Sequence, residues 1–179
     1  MTTTTEALLR LPGVVHHELL QHLLRELKGD EQAAFVFARF TADDNTFHFV
    51  EWLPVSPDGF AVQLPYHFEL TDATRAQIIK RAHDLDTSVI EFHSHTGPWP
   101  AQFSPSDWSG FEEIVPHVRW RLKGRPYAAV VVARDGFDGF AWVGAANSPA
   151  RLGGIEVDGR RLQPTRLSPL EKDGYDWKV

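Results

Sequence analysis

Two imidazoles, a hydroxyl and a carboxylate are gathered in one stretch, Glu91-Phe92-His93-Ser94-His95-Thr96-Gly97-Pro98-Trp99-Pro100-Ala101-Gln102-Phe103-Ser104-Pro105-Ser106-Asp107. Two neutral imidazoles and one carboxylate are the ligand set of a hydrolytic zinc centre, in which the fourth tetrahedral position is left for a water. The stretch therefore reads as a catalytic metal site, one Zn2+ per chain, with His93, His95 and Asp107 as ligands. The chain contains no cysteine, so any metal must rest on His and carboxylate.

The elements on either side have to bring these groups together. Thr87 to His93 has the β-branched and aromatic content of a strand, and residues of equal parity on a strand share a face, so His93 and His95 can chelate together. Gly97, Pro98 and Pro100 force a loop. A helix start follows, with Ser104 as N-cap, Pro105 at the first helical position and Asp107 fixed in the first turn. Each half has a plainer reading: Ser-x-x-Asp before an apolar run is a capping box, and His-x-His on a strand can face solvent. Glu91 shares the parity of the two histidines, yet two residues span about 7 Å along a strand. It should lie beside His93, as a support or facing solvent, and not opposite an open coordination position.

His-x-His, eight residues, then Ser-x-x-Asp resembles the signature of the JAMM metallopeptidases, also called MPN-plus domains, in their free-standing prokaryotic form. The family pattern includes a glutamate at the start of an early strand after the first helix, and Glu31 in Gly29-Asp30-Glu31-Gln32-Ala33 holds that place. The resemblance runs from about Val14 to about Val143, and Thr96 stands where a proline commonly follows the second histidine. It implies an α/β (α+β) fold, a mixed, curved sheet flanked by helices with cytidine-deaminase-like layering. It also implies hydrolysis of the amide bond after the C-terminal glycine of a ubiquitin-like modifier or sulfur-carrier protein with a Gly-Gly tail, in deconjugation or precursor processing. Glu31 would take the proton of the attacking water and return it to the leaving amine, and Ser104 would donate a hydrogen bond to the oxyanion. Trp99, Phe103 and Trp108 are candidates to line the groove for an extended tail, with loop and core packing as the equal alternative. Such a tail could add a strand to an exposed sheet edge. A catalytically silent scaffold of the same architecture is the rival, although every motif position is occupied here. A zinc nucleoside deaminase would need Pro-Cys-x-x-Cys and is excluded by the missing cysteines.

At 179 residues and 42% apolar content the chain suits one substantial core, expected over 13–166 between a polar segment 1–12 and a tail 167–179. A net charge of -6 argues against a protein built to hold nucleic-acid phosphate. No export signal and no membrane span are expected, and the composition fits the cytoplasm. Oligomeric state stays open, a homodimer included.

Apolar residues from Val15 to Leu27 recur at helical spacing, with Gly29 as the stop. His17-Glu18 does not open a His-Glu-x-x-His helix, because Gln21 takes the second histidine's place, so His16, His17 and His22 are ordinary helix residues. Strands are expected at 33–40, 46–53, 60–64, 127–133 and 140–143, with an Asp158-Gly159 hairpin over 155–162. A helix should run from Thr71 or Asp72 to Leu85, and another from Pro105 to about Val115, ended or kinked by Pro116. His48 is expected to be packed, Glu51 has only its charge in its favour, and Trp120 to Arg125 form a basic connector, a solvated loop or an acidic partner's contact. Tyr175 and Trp177 mark a polar tail that is disordered or docked on a neighbour.

Overall fold

Strand-forming runs dominate the computed structural model, which describes residues 6–26, 28–145 and 147–170. In chain order the elements are β1 Ala7–Leu11, α1 Gly13–Leu23, β2 Ala33–Thr41, β3 Thr46–Pro54, β4 Phe60–Leu64, β5 His67–Leu70, α2 Asp72–Leu85, β6 Ser88–Ser94, α3 Pro105–Arg121, β7 Tyr127–Ala133, β8 Gly136–Trp142, β9 Ala150–Val157 and β10 Arg160–Leu162. The main sheet runs β1-β3-β2-β6-β7-β8-β9, and β9 pairs back onto β1, so seven strands close into a barrel with β10 attached to β9. The closing contacts are parallel, with Leu9 opposite Phe47 of β3 and Ile155 of β9.

This corrects the expected α/β (α+β) layering of a curved sheet flanked by helices: the structure is mostly strand, a closed ring with three helices among the described residues. The element that closes it lies within the segment 1–12 that looked merely polar. Ala7, Leu9 and Leu11 alternate with Leu8 and Arg10, a period-2 pattern overshadowed by the threonines before it.

All seven barrel strands contribute to one buried cluster, which includes Leu9, Val36, Phe47, Ile90, Val130, Phe137, Leu152 and Ile155, and α1 packs Val15, Leu19 and Leu23 against it. That shared side is the interior of the ring. On the outer side, alternate residues of β2, β6, β7 and β8, among them Phe37, Val89, Val131 and Phe140, are covered by Ile78 and Ala82 of α2 and by Trp108, Phe111, Val115 and Val118 of α3. Strand β6 is buried along its whole length, and parity sends Val89, Glu91 and His93 outward beneath the helices.

Several elements differ from the sequence reading, and β8 and β9 begin at Gly136 and Ala150, ahead of the expected 140 and 155. Helix α1 stops at Leu23, and the expected continuation at Leu27 lies outside the described residues. Helix α3 runs through Pro116 to Arg121, because the apolar stripe of Val115, Val118 and Leu122 keeps the far side of the proline on the core. Trp120 and Arg121 therefore belong to its last turn, and Arg125 is drawn in against the carbonyls of Ala82 and Thr87. Strand β5 was not foreseen and forms a two-stranded sheet with β4. The Asp158-Gly159 turn is as expected, with φ of 48° and 81°. No helix of the described residues is long and apolar enough to cross a membrane.

Candidate metal centre

Strand β6 lies between β2 and β7, and the pairing persists beyond its end. Ser94 N–H donates to the Gln32 carbonyl at 2.9 Å and His95 N–H to the Val132 carbonyl at 2.8 Å, which keeps His95 on the outward face of His93. Ala33 pairs with His93, so the antiparallel register carries Glu31 to the level of His95. The opposite wall is the first turn of α3, where Ser104 and Asp107 form a complete capping box. Asp107 N–H donates to Ser104 Oγ at 3.2 Å, while Asp107 Oδ2 accepts from Ser104 N at 2.6 Å and from Ser104 Oγ at 2.9 Å.

The three expected ligands converge. His93 Nε2 lies 3.4 Å from Asp107 Oδ1 and His95 Nε2 lies 3.3 Å from Asp107 Oδ2, with one donor atom from each residue inside a 4.8 Å span. A tetrahedron with metal–ligand bonds of about 2.0–2.1 Å has edges of about 3.3 Å, and each imidazole stands at about that distance from one of the two oxygens of Asp107. His93 is 1% exposed, and both its ring nitrogens are buried without a hydrogen-bond partner. Burial works to lower its pKa, but the carboxylates of Asp107 and Glu91 hold it well above the usual imidazole range. Burial likewise works to raise Asp107, but His93 and His95 hold it well below the usual carboxylate range. A buried point that favours positive charge, with both ring nitrogens of His93 lacking a partner, is the environment a cation needs. His93, His95 and Asp107 lie close enough to hold a metal ion.

Glu31 is buried at the edge of this group, with Oε1 3.8 Å from His95 Nε2. Burial pushes its carboxyl up to about 7, against the lowering pull of His93 and His95. Its backbone is fixed from the hairpin side: Glu31 N–H donates to Leu64 O at 3.0 Å and Gln63 Nε2 donates to Glu31 O at 2.9 Å. Behind His93, Glu91 Oε1 lies 3.4 Å from Nδ1, and Tyr127 Oη donates to Glu91 Oε2 at 2.8 Å.

No protein-family model matches this chain. No curated protein matches it in sequence either.

Of the three aromatics expected to line a groove, Trp99 alone is open, at 67% exposure. Phe103 and Trp108, at 0% and 5%, are core residues packed with Phe111 and Phe140, which removes them from any substrate surface. Phe103 is drawn in because its N–H donates to Ser168 Oγ at 2.9 Å, and its ring then walls the site, 5.7 Å from that of His93. Glu51 is held by Arg81 at 2.5 Å and takes no part in the site. His48, near Thr41 and Asp44, is a half-buried surface residue. Tyr175 and Trp177 lie outside the described residues.

The β4–β5 hairpin is the part of the site that the sequence reading missed. Phe68 stacks 5.7 Å from the His93 ring, and His67 Nδ1 lies 3.2 Å from Ser106 Oγ, beside Asp107. Between the strands, Tyr66 is 72% exposed. Thr96, the departure from the family pattern, ties the loop down: its Oγ1 lies 2.9 Å from the Gly29 carbonyl and 3.1 Å from that of Pro65. A proline would have no such hydroxyl. The alternation in His67-Phe68-Glu69-Leu70 after Pro65-Tyr66 was the available signal.

Proposed function

We propose that this chain is a zinc-dependent (iso)peptidase that cleaves the amide bond after the C-terminal glycine of a ubiquitin-like modifier or sulfur-carrier protein. The observation that carries the proposal is the buried Glu31 carboxyl standing beside the His93, His95 and Asp107 donor group. A structural metal site needs no proton acceptor at its open side; a hydrolytic one does. When bound, zinc would supply a Lewis acid that polarises a carbonyl and lowers the pKa of water toward neutrality.

The chain's own residues do the rest. Glu31, whose carboxyl is raised by burial to about 7, takes up a proton as water oxygen bonds to the amide carbon and delivers it to the nitrogen as the C–N bond breaks. Ser104 holds Asp107 at rest and turns its hydroxyl toward the carbonyl oxygen as negative charge develops there. A substrate tail adding itself to a sheet needs a free strand edge, and closure of the barrel leaves few. The β4–β5 hairpin is the edge that borders the site, with Tyr66 and Trp99 as exposed aromatics nearby. Two glycines at the scissile end suit an approach between the hairpin and the Gly97–Trp99 loop.

The test is incubation with conjugates and linear fusions of Gly-Gly-terminated modifiers, with and without a chelator. Cleavage after Gly-Gly that stops on chelation is expected. Glu31→Gln should keep its zinc, measured by atomic spectroscopy, and lose activity by at least about a hundredfold, the usual range for a positioned general base. Parent-like turnover in that variant would remove Glu31 from the mechanism. Intact conjugates alongside stoichiometric zinc would mean a silent metal-bearing module.

A further inference from the structure

We infer that Glu91 and Tyr127 are a positioning pair for the metal centre: Tyr127 orients the Glu91 carboxylate, and Glu91 fixes the tautomer and ring angle of His93. The inference rests on the metal reading above and extends it to two residues that no ligand pattern includes.

The two ring nitrogens of His93 face different carboxylates, Nε2 toward Asp107 Oδ1 and Nδ1 toward Glu91 Oε1, each at 3.4 Å. Asp107 is also the carboxylate next to His95, so Nε2 is the nitrogen on the side where the three donors meet. The proton of a neutral imidazole must then sit on Nδ1 and point at Glu91. Nδ1 is buried without a hydrogen-bond partner, and Glu91 Oε1 at 3.4 Å is the carboxylate oxygen placed to take that proton once the ring turns to it.

Glu91 is held for this task. Strands β6 and β7 run parallel with Val89 opposite Tyr127 and Glu91 opposite Ala129. The phenol reaches along the shared outer face to Glu91 Oε2 at 2.8 Å, so the other carboxylate oxygen is turned toward His93. A solvated surface glutamate would not sit 9% exposed behind a fully buried tyrosine. Carboxylate-to-histidine support of this kind sets ligand orientation and basicity in metal sites, and losing it typically costs about 10–100-fold in metal affinity.

Zinc affinity, read by competition with a chromophoric chelator, tests the pair in the full chain. Co2+ absorption spectra and the melting temperature of metal-free protein are recorded alongside. Glu91→Gln, which keeps volume and removes charge, should weaken zinc by about 10–100-fold and shift the Co2+ spectrum. Tyr127→Phe should weaken it less, and the double variant should be no weaker than Glu91→Gln alone, because the phenol acts through the carboxylate. Tyr127→Phe also keeps the test sharp if the first variant folds poorly. Zinc affinity unchanged in both single variants, or losses that simply add in the double, would overturn the pairing while leaving the metal site standing. A parent protein that takes up no zinc would overturn the metal reading and this inference with it.

Discussion

Asp107 is aimed by hydrogen bonds that Ser104 supplies from both its backbone and its side chain. Ser104→Ala should therefore have two separable effects. Loss of the cap should cost about 1 kcal/mol of stability, read from the denaturant midpoint. Loss of the oxyanion donor should cost about a hundredfold in turnover with zinc retained. His22 offers a pH test that does not depend on a metal. Its Nε2 bonds the Ala33 carbonyl at 2.9 Å, and burial, the largest cause, lowers its pKa from 6.5. The unfolded chain thus binds a proton more readily than the folded one, so this contribution is intact above about 6.5 and drains away as pH falls toward the depressed folded value. His22→Gln should lose less stability than the parent between pH 7.5 and pH 5.5, measured by urea unfolding with chelator present; an equal loss would show that His22 does not set the slope. The convergence of His93, His95 and Asp107 was legible because its geometry is local, two positions at one strand end and one helix turn. The burial of Phe103 and Trp108 was not, because nearness in sequence to that group says nothing of which way a loop folds, and both rings join the core beneath α3.

Among the elements, the segment after β10 acts as a buckle on the ligand loop. Thr165 Oγ1 donates to Ala101 O at 2.6 Å, Ser168 Oγ accepts from Phe103 N at 2.9 Å, and Ser168 N donates to the buried Asp138 at 2.9 Å. Ser168→Ala removes the hydroxyl that accepts from Phe103 N–H, two residues ahead of α3. The expected loss is about 1 kcal/mol in chemical denaturation, together with weaker zinc binding. Stability and affinity both equal to the parent would show that the buckle holds nothing. Continuous apolar runs revealed β2 and β7 and a capped start with spaced apolar residues revealed α2, whereas β5 and the far half of α3 escaped both signals. The alternation in β5 is only four residues long and does not stand out, and Pro116 hides a helix that continues only because its tertiary contacts persist.

On the scale of the molecule, closure was the feature least visible in the sequence. It depends on pairing β1 with β9, partners as far apart as Arg10 and Glu156, whose side chains meet at 2.8 Å although 146 positions separate them. No local pattern encodes that meeting; it follows from burying alternate apolar residues of both strands in one interior. Strand β9 is also shaped for crowding, since a Cβ at Gly154 would stand 2.7 Å from the Leu162 carbonyl of β10. Inserting β1 between β3 and β9 satisfies two rows of backbone donors and acceptors at once. A proteolytic cut just ahead of Gly13 would bare both rows, each on an apolar strand, and exposed edges of that kind recruit other chains. The clipped protein should self-associate on size-exclusion chromatography, where the intact chain does not grow with time. Such damage would remove the molecule by clumping, with His93, His95 and Asp107 all still present.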